Sequence, residues 1–159
     1  MIEPHELKTI AEAFSRTAAK YDALAIDHPH QARLRNKVYA HIGRHVPAGS
    51  RILELNSGTG IDAAALAQRG YQVHATDIAP GMLARIQDKV TRYGLRETVS
   101  LQEVSFTDLD LIECGPFDAV FSNLGGLNCI SDLSVVIDQL PAVLRPGGTL
   151  SLIHISEPT

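Results

Sequence analysis

The stretch that decides the fold is ELNSGTG, residues 54–60, which closes a short apolar segment, RILEL, at residues 51–55. Gly58 and Gly60 stand between this predicted strand and a helical segment at residues 61–70. Glycines at such a turn permit positive φ and let the backbone approach a ligand closely. The stretch therefore predicts a cofactor-binding loop, and the alternative is a tight turn without a ligand.

Short apolar strands and helices alternate on the C-terminal side of this loop. We expect strands at residues 51–55, 71–76, 98–104, 117–123 and 149–155. We expect helices at residues 11–25, 31–45, 61–70, 80–94, 131–140 (capped by Ser131) and 141–144. The alternation predicts an α/β fold with a parallel sheet covered on both faces. Ligands bind such sheets outside the carboxyl ends of the strands, so the candidate site comprises the loops at residues 54–60, 77–82, 104–108 and 123–129.

Composition restricts the partners. The chain has 159 residues, a net charge of -4 and a pI near 5.9, which fits a single domain over 1–159 without a basic surface for nucleic acid or an anionic membrane. Arg33, Arg35 and Lys37 are interpreted as a solvated helix face. No apolar run is long enough to span a bilayer and no signal peptide is recognisable, so a cytoplasmic location is expected.

The sequence gives little support for metal binding or for covalent catalysis. Cys114 and Cys129 form no disulfide framework and are interpreted as buried thiols. The histidine pairs 28/30 and 41/45 lack the third and fourth ligands that zinc requires, so no metal is expected. His154, at the end of the fifth predicted strand, is a candidate general base, but no catalytic residue is assigned.

Two cofactors compete for the glycine loop. Gly58, Gly60 and Ala63 satisfy the dinucleotide fingerprint GxGxx(G/A). Glu54, however, would repel a pyrophosphate and favour a cationic ligand. S-adenosylmethionine carries a sulfonium and an ammonium and no phosphate, so it suits Glu54 better than NAD does. Asp77, just past the second strand, can accept both ribose hydroxyls of either cofactor and does not discriminate between them.

The segment ILELNSGTGIDAAALAQRGYQVHATDIAPGML, residues 52–83, resembles the first two motifs of class I S-adenosylmethionine-dependent methyltransferases. FDAVFSNLGGLN at 117–128 and LPAVLRPGGTL at 140–150 resemble later motifs in the expected order. The resemblance implies a Rossmann-like three-layer sandwich with a mainly parallel sheet of strand order 3-2-1-4-5. It divides the chain into an N-terminal helical lid, residues 1–47, and a cofactor-binding core, residues 48–155.

The resemblance also assigns site residues by position. The methionine part of the cofactor is expected among Glu54, Asn56, Ser57, Gly58, Thr59 and Gly60. Asp77 is expected at the ribose, Ile78 and Met82 near the adenine, and Asn123 and Leu124 beneath the sulfonium. Tyr21 resembles the Tyr-Asp pair in the lid of the ubiquinone/menaquinone and biotin-pathway branches.

Two positions depart from the family pattern. Asn56 replaces the first glycine of the loop, and we expect the turn to survive because Asn tolerates left-handed geometry. Ser105 stands where many members place an adenine-binding Asp, so the Ser105 hydroxyl or the Phe106 N–H would substitute. Asp108 is predicted to cap the next helix.

The resemblance implies transfer of a methyl group to a small-molecule acceptor by in-line displacement, with catalysis mainly by proximity. An NAD-dependent oxidoreductase and a non-catalytic Rossmann-like binding domain remain as alternatives. The family fold normally continues past the fifth strand with strands 6 and 7, so we expect a truncated chain. The fifth strand is then an exposed apolar edge that could promote self-association.

Overall fold

The computed structural model describes residues 4–26, 28–124 and 126–153. Two helices precede the first strand, α1 (Pro4–Ile26) and α2 (Pro29–His45). The first begins earlier than the predicted residue 11, because the Ala-rich tract marks only its interior. Leu7 and Ile10 extend the helical face that continues at Phe14, and all three line one cavity.

Five parallel strands form one sheet in the order β3-β2-β1-β4-β5, which confirms the expected strand order. Their bounds are β1 (Arg51–Glu54), β2 (Gln72–Asp77), β3 (Val99–Glu103), β4 (Phe117–Ser122) and β5 (Leu144–Leu152). Glu54 lies opposite Ala75 on β2 and Phe121 on β4. The loops that follow β1, β2 and β4 therefore emerge side by side at one edge of the sheet.

Helices cover both faces of the sheet. They are α3 (Ile61–Ala67), α4 (Pro80–Arg92), α5 (Ser134–Ile137) and α6 (Leu140–Val143). Neighbouring strand residues alternate between two apolar clusters, as Ile52 packs with α2, α3 and α4 whereas Leu53 packs with α5 and α6. This alternation confirms the three-layer α/β architecture.

Three local predictions are wrong, and two of them concern the last helices and strand. Ser131 does not cap α5, which begins at Ser134, where the backbone N–H donates to Asp132 Oδ1 at 2.9 Å. The fifth strand begins at Leu144 rather than residue 149, because Leu144 pairs with Phe117 of β4. The next pair is Ala119 with Thr149, so RPGG, residues 145–148, lies in an irregularity of the ladder.

The third wrong prediction is the cap at Asp108. This residue precedes a 3₁₀ turn (Leu109–Leu111), but its carboxylate makes no capping bond. It instead accepts from Thr107 Oγ1 at 3.3 Å. Two further predictions, His154 and the last residues of the fifth strand, lie outside the described residues. Within the part of the chain that the structure describes, no helix combines the length and apolarity needed to cross a membrane.

Candidate functional site

The loop between β1 and α3 adopts an unusual backbone. Asn56, Gly58 and Gly60 all have positive φ, at 53°, 56° and 82°. Left-handed geometry is costly for most side chains but tolerable for Asn. The prediction that Asn56 can replace a glycine in this turn is therefore confirmed for the backbone.

Side chains of the loop and of β2 fix this conformation. The Ser57 hydroxyl donates to the Glu54 carbonyl at 3.2 Å and accepts the Thr76 N–H at 3.1 Å. Thr76 Oγ1 donates to the same Glu54 carbonyl at 2.8 Å. The loop is thus held by protein contacts alone, which is the preorganisation that a binding site needs.

Asp77, at the end of β2, joins two loops. Its Oδ2 accepts the Gly58 N–H and its Oδ1 accepts the Ala79 N–H, each at 2.9 Å. Burial raises the pKa of Asp77, while these backbone donors act in the opposite direction. Each carboxylate oxygen keeps a further lone pair, so Asp77 can still accept hydroxyl groups.

A cavity of about 200 Å³ lies over the carboxyl ends of β1, β2 and β4. The sequence-predicted residues that line it are Tyr21, Asn56, Gly58, Asp77, Ile78, Met82, Phe106, Asn123 and Leu124. Gly126 and Cys129 also line it and belong to the predicted loop at residues 123–129, whereas Leu7, Ile10 and Phe14 of α1 were not predicted. The spacing of the three α1 residues along one helical face was a readable signal, because it continues to Tyr21.

A smaller cavity of about 30 Å³ adjoins the first beside the loop. Ser57 and Thr59 line it, together with Arg35 and Asp62, neither of which was predicted as a site residue. Tyr21, Asn56, Gly58, Asn123 and Leu124 line both cavities. The site is therefore one apolar chamber with a polar annex at the glycine loop.

Three predicted residues line neither cavity. Gly60 lies against α4, where a Cβ would come within 2.9 Å of Ile86 Cγ2. Ser105 is buried, and its hydroxyl accepts the Thr107 N–H at 3.1 Å. Glu54 is the third.

Glu54 lies beneath the loop with 2% of its surface exposed. Burial and the nearby Asp62 carboxylate raise the pKa of Glu54 well above its ordinary value. Within the described part of the chain, its Oε2 has no hydrogen-bond partner. The structure thus favours the neutral form of this carboxyl group, whereas the sequence analysis assigned it a negative charge that acts on the cofactor.

Arg35 corrects the interpretation of the basic cluster. Arg33 and Lys37 are exposed, but Arg35 is buried. Its Nε lies 3.2 Å from Asp62 Oδ1, which also accepts from the Tyr39 hydroxyl. A buried arginine requires such a partner, so Arg35 belongs to an internal ion pair and not to a solvated face.

The helix α1 is fastened over the cavity at two points. Asp22, next to Tyr21, accepts from Thr59 Oγ1 and pairs with Lys89 Nζ on α4. The Ser15 hydroxyl accepts the Gly81 N–H at 3.0 Å, where a Cβ on Gly81 would lie 2.7 Å from Ser15 Cα. Helix α1 therefore makes specific contacts with both the loop and α4.

Metal ligands and the two cysteines are the remaining candidates for chemistry. Among the described residues, no cluster of three or more His, Cys, Asp or Glu could hold a metal ion. Cys114 is half-buried and Cys129 is exposed at the cavity, so the prediction of buried thiols is wrong for Cys129.

Residues 52–148 match a family model described as a methyltransferase domain. The chain is 33% identical over 146 residues to a malonyl-[acyl-carrier protein] O-methyltransferase of Serratia marcescens, covering 90% of this chain and 51% of the relative. It is 35% identical over 115 residues to a demethylmenaquinone methyltransferase of Clavibacter sepedonicus, covering 70% and 43%. The chain thus spans about half the length of these curated relatives.

The structure of the protein DhpI in complex with SAH shares the fold. It aligns with a TM-score of 0.76 at 22% identity over 95% of this chain and 70% of that one. At this identity the likeness concerns the fold alone. Because the family model covers more than half of the chain, in a segment that includes the loop at residues 54–60, the chain belongs to the methyltransferase domain family.

Proposed function

We propose that this chain binds S-adenosylmethionine over the carboxyl ends of β1, β2 and β4 and transfers its methyl group to a small-molecule acceptor. The observation that carries the proposal is the arrangement of Asp77, the left-handed loop and Asn123–Leu124 around one cavity. Family membership supports the same activity.

The residues present fit the adenosine part of the cofactor. Asp77 has free lone pairs at the cavity for the two ribose hydroxyls. Ile78, Met82 and Phe106 supply apolar surface on the same side for the adenine. Ser105 is committed to Thr107, so the backbone next to Phe106 is the better candidate for a polar contact with the base.

The polar annex fits the methionine part. Ser57 and Thr59 line it with hydroxyl groups, beside the ion pair of Arg35 and Asp62. Asn56 lines both cavities, and its Nδ2 is buried without a hydrogen-bond partner among the described residues. An orphaned buried donor at this position is a group that a bound ligand could satisfy.

Family membership, and not the charge of the loop, favours this cofactor over NAD. Gly58, Gly60 and Ala63 satisfy the dinucleotide fingerprint, and Asp77 suits the ribose of either cofactor. Glu54, on which the comparison with NAD rested, is buried, favours its neutral form and lines neither cavity. The match to a methyltransferase domain therefore carries the choice of S-adenosylmethionine.

When bound, S-adenosylmethionine supplies a methyl group on a positively charged sulfur. Asn123 and Leu124 form the floor of the cavity, and Tyr21 closes it from α1. Leu7, Ile10 and Phe14 form an apolar wall of the chamber. Holding the reactants in line can supply up to ~7–11 kcal/mol of the rate enhancement, so the proposal requires no proton-transfer residue.

The acceptor is proposed only as a class. The two relatives are named for demethylmenaquinone and for malonyl-[acyl-carrier protein]. The apolar wall on α1 is compatible with a neutral acceptor. A cytoplasmic location stays a prediction from the sequence, and so does self-association through β5.

A methyl-transfer screen tests the proposal. The chain is incubated with S-adenosylmethionine labelled in the methyl carbon and with two acceptors, a demethylated quinol and a malonyl thioester, whose free carboxylate is the nucleophile. We expect label in the acceptor and a KM for the cofactor about 10–100-fold higher in Asp77→Ala, since hydrogen bonds to a charged group are lost. Asp110→Ala, an exposed carboxylate on the 3₁₀ turn, is the matched control. No label transfer together with a change in NADH fluorescence would favour the oxidoreductase instead.

A further inference from the structure

Leu124, at the floor of both cavities, has a strained backbone. Its φ is 53°, in the left-handed region that leucine rarely occupies. Such strain persists only where the surrounding structure holds it, and it is typical of functional sites. The contacts that hold Leu124 therefore bear on the shape of the site.

Asn123 holds Leu124 directly. Its Oδ1 accepts the Leu124 N–H at 2.8 Å, and its Nδ2 donates to Asp62 Oδ2 at 3.1 Å. An ion-paired carboxylate can only accept hydrogen bonds, so Asp62 requires the NH₂ group of Asn123 to face it. Asp62 thereby orients the Asn123 amide so that its carbonyl oxygen faces the Leu124 N–H.

Asp62 is held in turn by α2. The Tyr39 hydroxyl and Arg35 Nε both donate to Asp62 Oδ1, and all three side chains are buried. The result is a continuous set of hydrogen bonds from α2 through the first turn of α3 to the loop after β4. We call Tyr39, Asp62, Asn123 and the Leu124 N–H the relay.

We propose that Asp62 is a positioning residue that, through the relay, fixes the Leu124 backbone beneath the reacting methyl group. This inference rests on the proposed function, because it assigns the relay a role in that site. Asp62 acts through Asn123, so it is not assigned a proton-transfer or nucleophilic step. The essential property is the direction of each hydrogen bond, and this direction can be altered without changing side-chain size.

Asp62→Asn replaces one acceptor oxygen of Asp62 with an NH₂ donor, so it disrupts the hydrogen-bond directions of the relay. If the oxygen of the introduced amide still faces Tyr39 and Arg35, the NH₂ group of that amide meets the NH₂ group of Asn123. If Asn123 then rotates, its NH₂ group meets the Leu124 N–H. Two donor groups therefore face each other in either arrangement. Either the Leu124 N–H or the NH₂ group of Asn123 lacks an acceptor as a result.

Adding Asn123→Asp to Asp62→Asn restores every direction. The amide introduced at position 62 donates from its NH₂ group to one oxygen of the carboxylate introduced at position 123. The other oxygen of that carboxylate accepts the Leu124 N–H. Asn123→Asp alone places two carboxylates against each other and is not expected to work. The exchange therefore separates hydrogen-bond direction from side-chain size.

The test uses the full chain, labelled with ¹⁵N-leucine, and S-adenosylhomocysteine as the probe. We expect Asp62→Asn to move the Leu124 amide proton resonance upfield and to weaken probe binding about tenfold, as for one lost hydrogen bond. The double exchange should return the resonance and bring the affinity to within about threefold of wild type. Asp88→Asn, an exposed site on α4, is the control that should change neither.

The outcomes separate this inference from the proposed function. If wild type does not bind the probe, the proposed function fails, while the Leu124 resonance still reports on the relay. If Asp62→Asn does not fold, recovery of a folded, probe-binding double variant supports the relay, and its failure to fold contradicts it. An unmoved Leu124 resonance in Asp62→Asn, or a double variant that does not recover, would overturn the inference.

Discussion

Asn56 and Gly126 touch across the site, from the loop after β1 to the 3₁₀ turn Gly126–Cys129. A Cβ on Gly126 would lie 2.7 Å from Asn56 Cβ, which is closer than side chains pack. We expect Gly126→Ala to destabilise the chain by about 1–3 kcal/mol through overpacking. Asn56→Gly should remove most of that cost when it is added, as measured by urea unfolding of the double-mutant cycle. Additive effects of the two substitutions would show that this contact is not the cause.

Glu54 gives the stability a pH dependence. Its pKa is raised in the folded chain, so between the unfolded value, about 4.3, and the folded value the folded chain binds more protons than the unfolded chain. Stability contributed by Glu54 is therefore complete below that unfolded value and is lost as pH rises through the folded pKa. We expect Glu54→Gln to gain stability relative to wild type as pH rises above the unfolded value of about 4.3.

The measurement is chemical unfolding at several pH values. Glu97→Gln, an exposed glutamate, should follow wild type across the range. If the curves of wild type and Glu54→Gln run parallel, the carboxyl group is not the buried, proton-binding group described above.

Residues of the site differ in how far sequence alone could place them. The loop and Asp77 were predictable because glycines and a carboxylate next to strand ends are local signals. The pairing of Arg35 with Asp62, 27 residues apart, was not, since it depends on how α2 packs against α3. The neutral tendency of Glu54 was missed for the same reason, because burial is a property of the assembled fold.

At the scale of elements, Asp22 makes the main polar contacts that hold α1 against the loop and α4. Its side chain and that of Lys89 are 27% and 17% exposed, so this ion pair is only partly screened by solvent. We expect Asp22→Ala, which removes the contacts to both Thr59 and Lys89, to destabilise the packing of α1 by about 1–3 kcal/mol. Asp22→Asn, which keeps the acceptor for Thr59, should have a smaller effect.

Hydrogen exchange measured by mass spectrometry tests this prediction. The amides of α1 should exchange faster in Asp22→Ala, while those of β1 and β4 remain protected. Glu12→Ala, at an exposed position of the same helix, should leave the exchange of α1 unchanged. Equal exchange in all variants would mean that apolar packing of Ala18 on Ala79 and Met82 holds the helix by itself.

Element types were easier to predict than their bounds. Alternating apolar strands and helices indicated all five strands and their parallel arrangement. The start of β5 was missed because Pro and Gly in RPGG indicate a turn, whereas β4 pairs with Leu144 before this segment and with Thr149 after it. The start of α5 was missed because Asp132 took the position expected for Ser131.

At the scale of the whole molecule, β5 forms one edge of the described sheet. Leu150 on this strand is 38% exposed, and a groove of about 380 Å³ between α2 and β5 lies beside it. Exposed apolar edge strands favour pairing between copies, so we expect self-association that increases with concentration.

Sedimentation of wild type and Leu150→Lys tests that expectation. A lysine on the edge should shift the chain toward monomer. Leu111→Lys replaces a leucine that is 61% exposed on the 3₁₀ turn, so it adds the same charge elsewhere and should not alter the association. A wild-type chain that stays monomeric at every concentration would contradict the proposal.

The order of the sheet and the family were within reach of the sequence, because four motifs occur in the expected order. The acceptor was not, since the α1 wall and the Gly126–Cys129 turn acquire meaning only once the cavity is assembled. Cofactor preference lies between these extremes. The sequence motifs indicated S-adenosylmethionine, but the charge of Glu54, on which the comparison with NAD rested, depends on its burial in the assembled fold.

Titration calorimetry of the full chain with S-adenosylhomocysteine and, separately, with NADH tests the central claim most directly. We predict one binding event per chain for S-adenosylhomocysteine, weakened about 10–100-fold in Asp77→Ala, and no measurable heat with NADH. Circular dichroism on the same samples verifies that the chain is folded. A folded chain that binds NADH, or that gives no heat with S-adenosylhomocysteine, would contradict the assignment of the loop at residues 54–60 to S-adenosylmethionine.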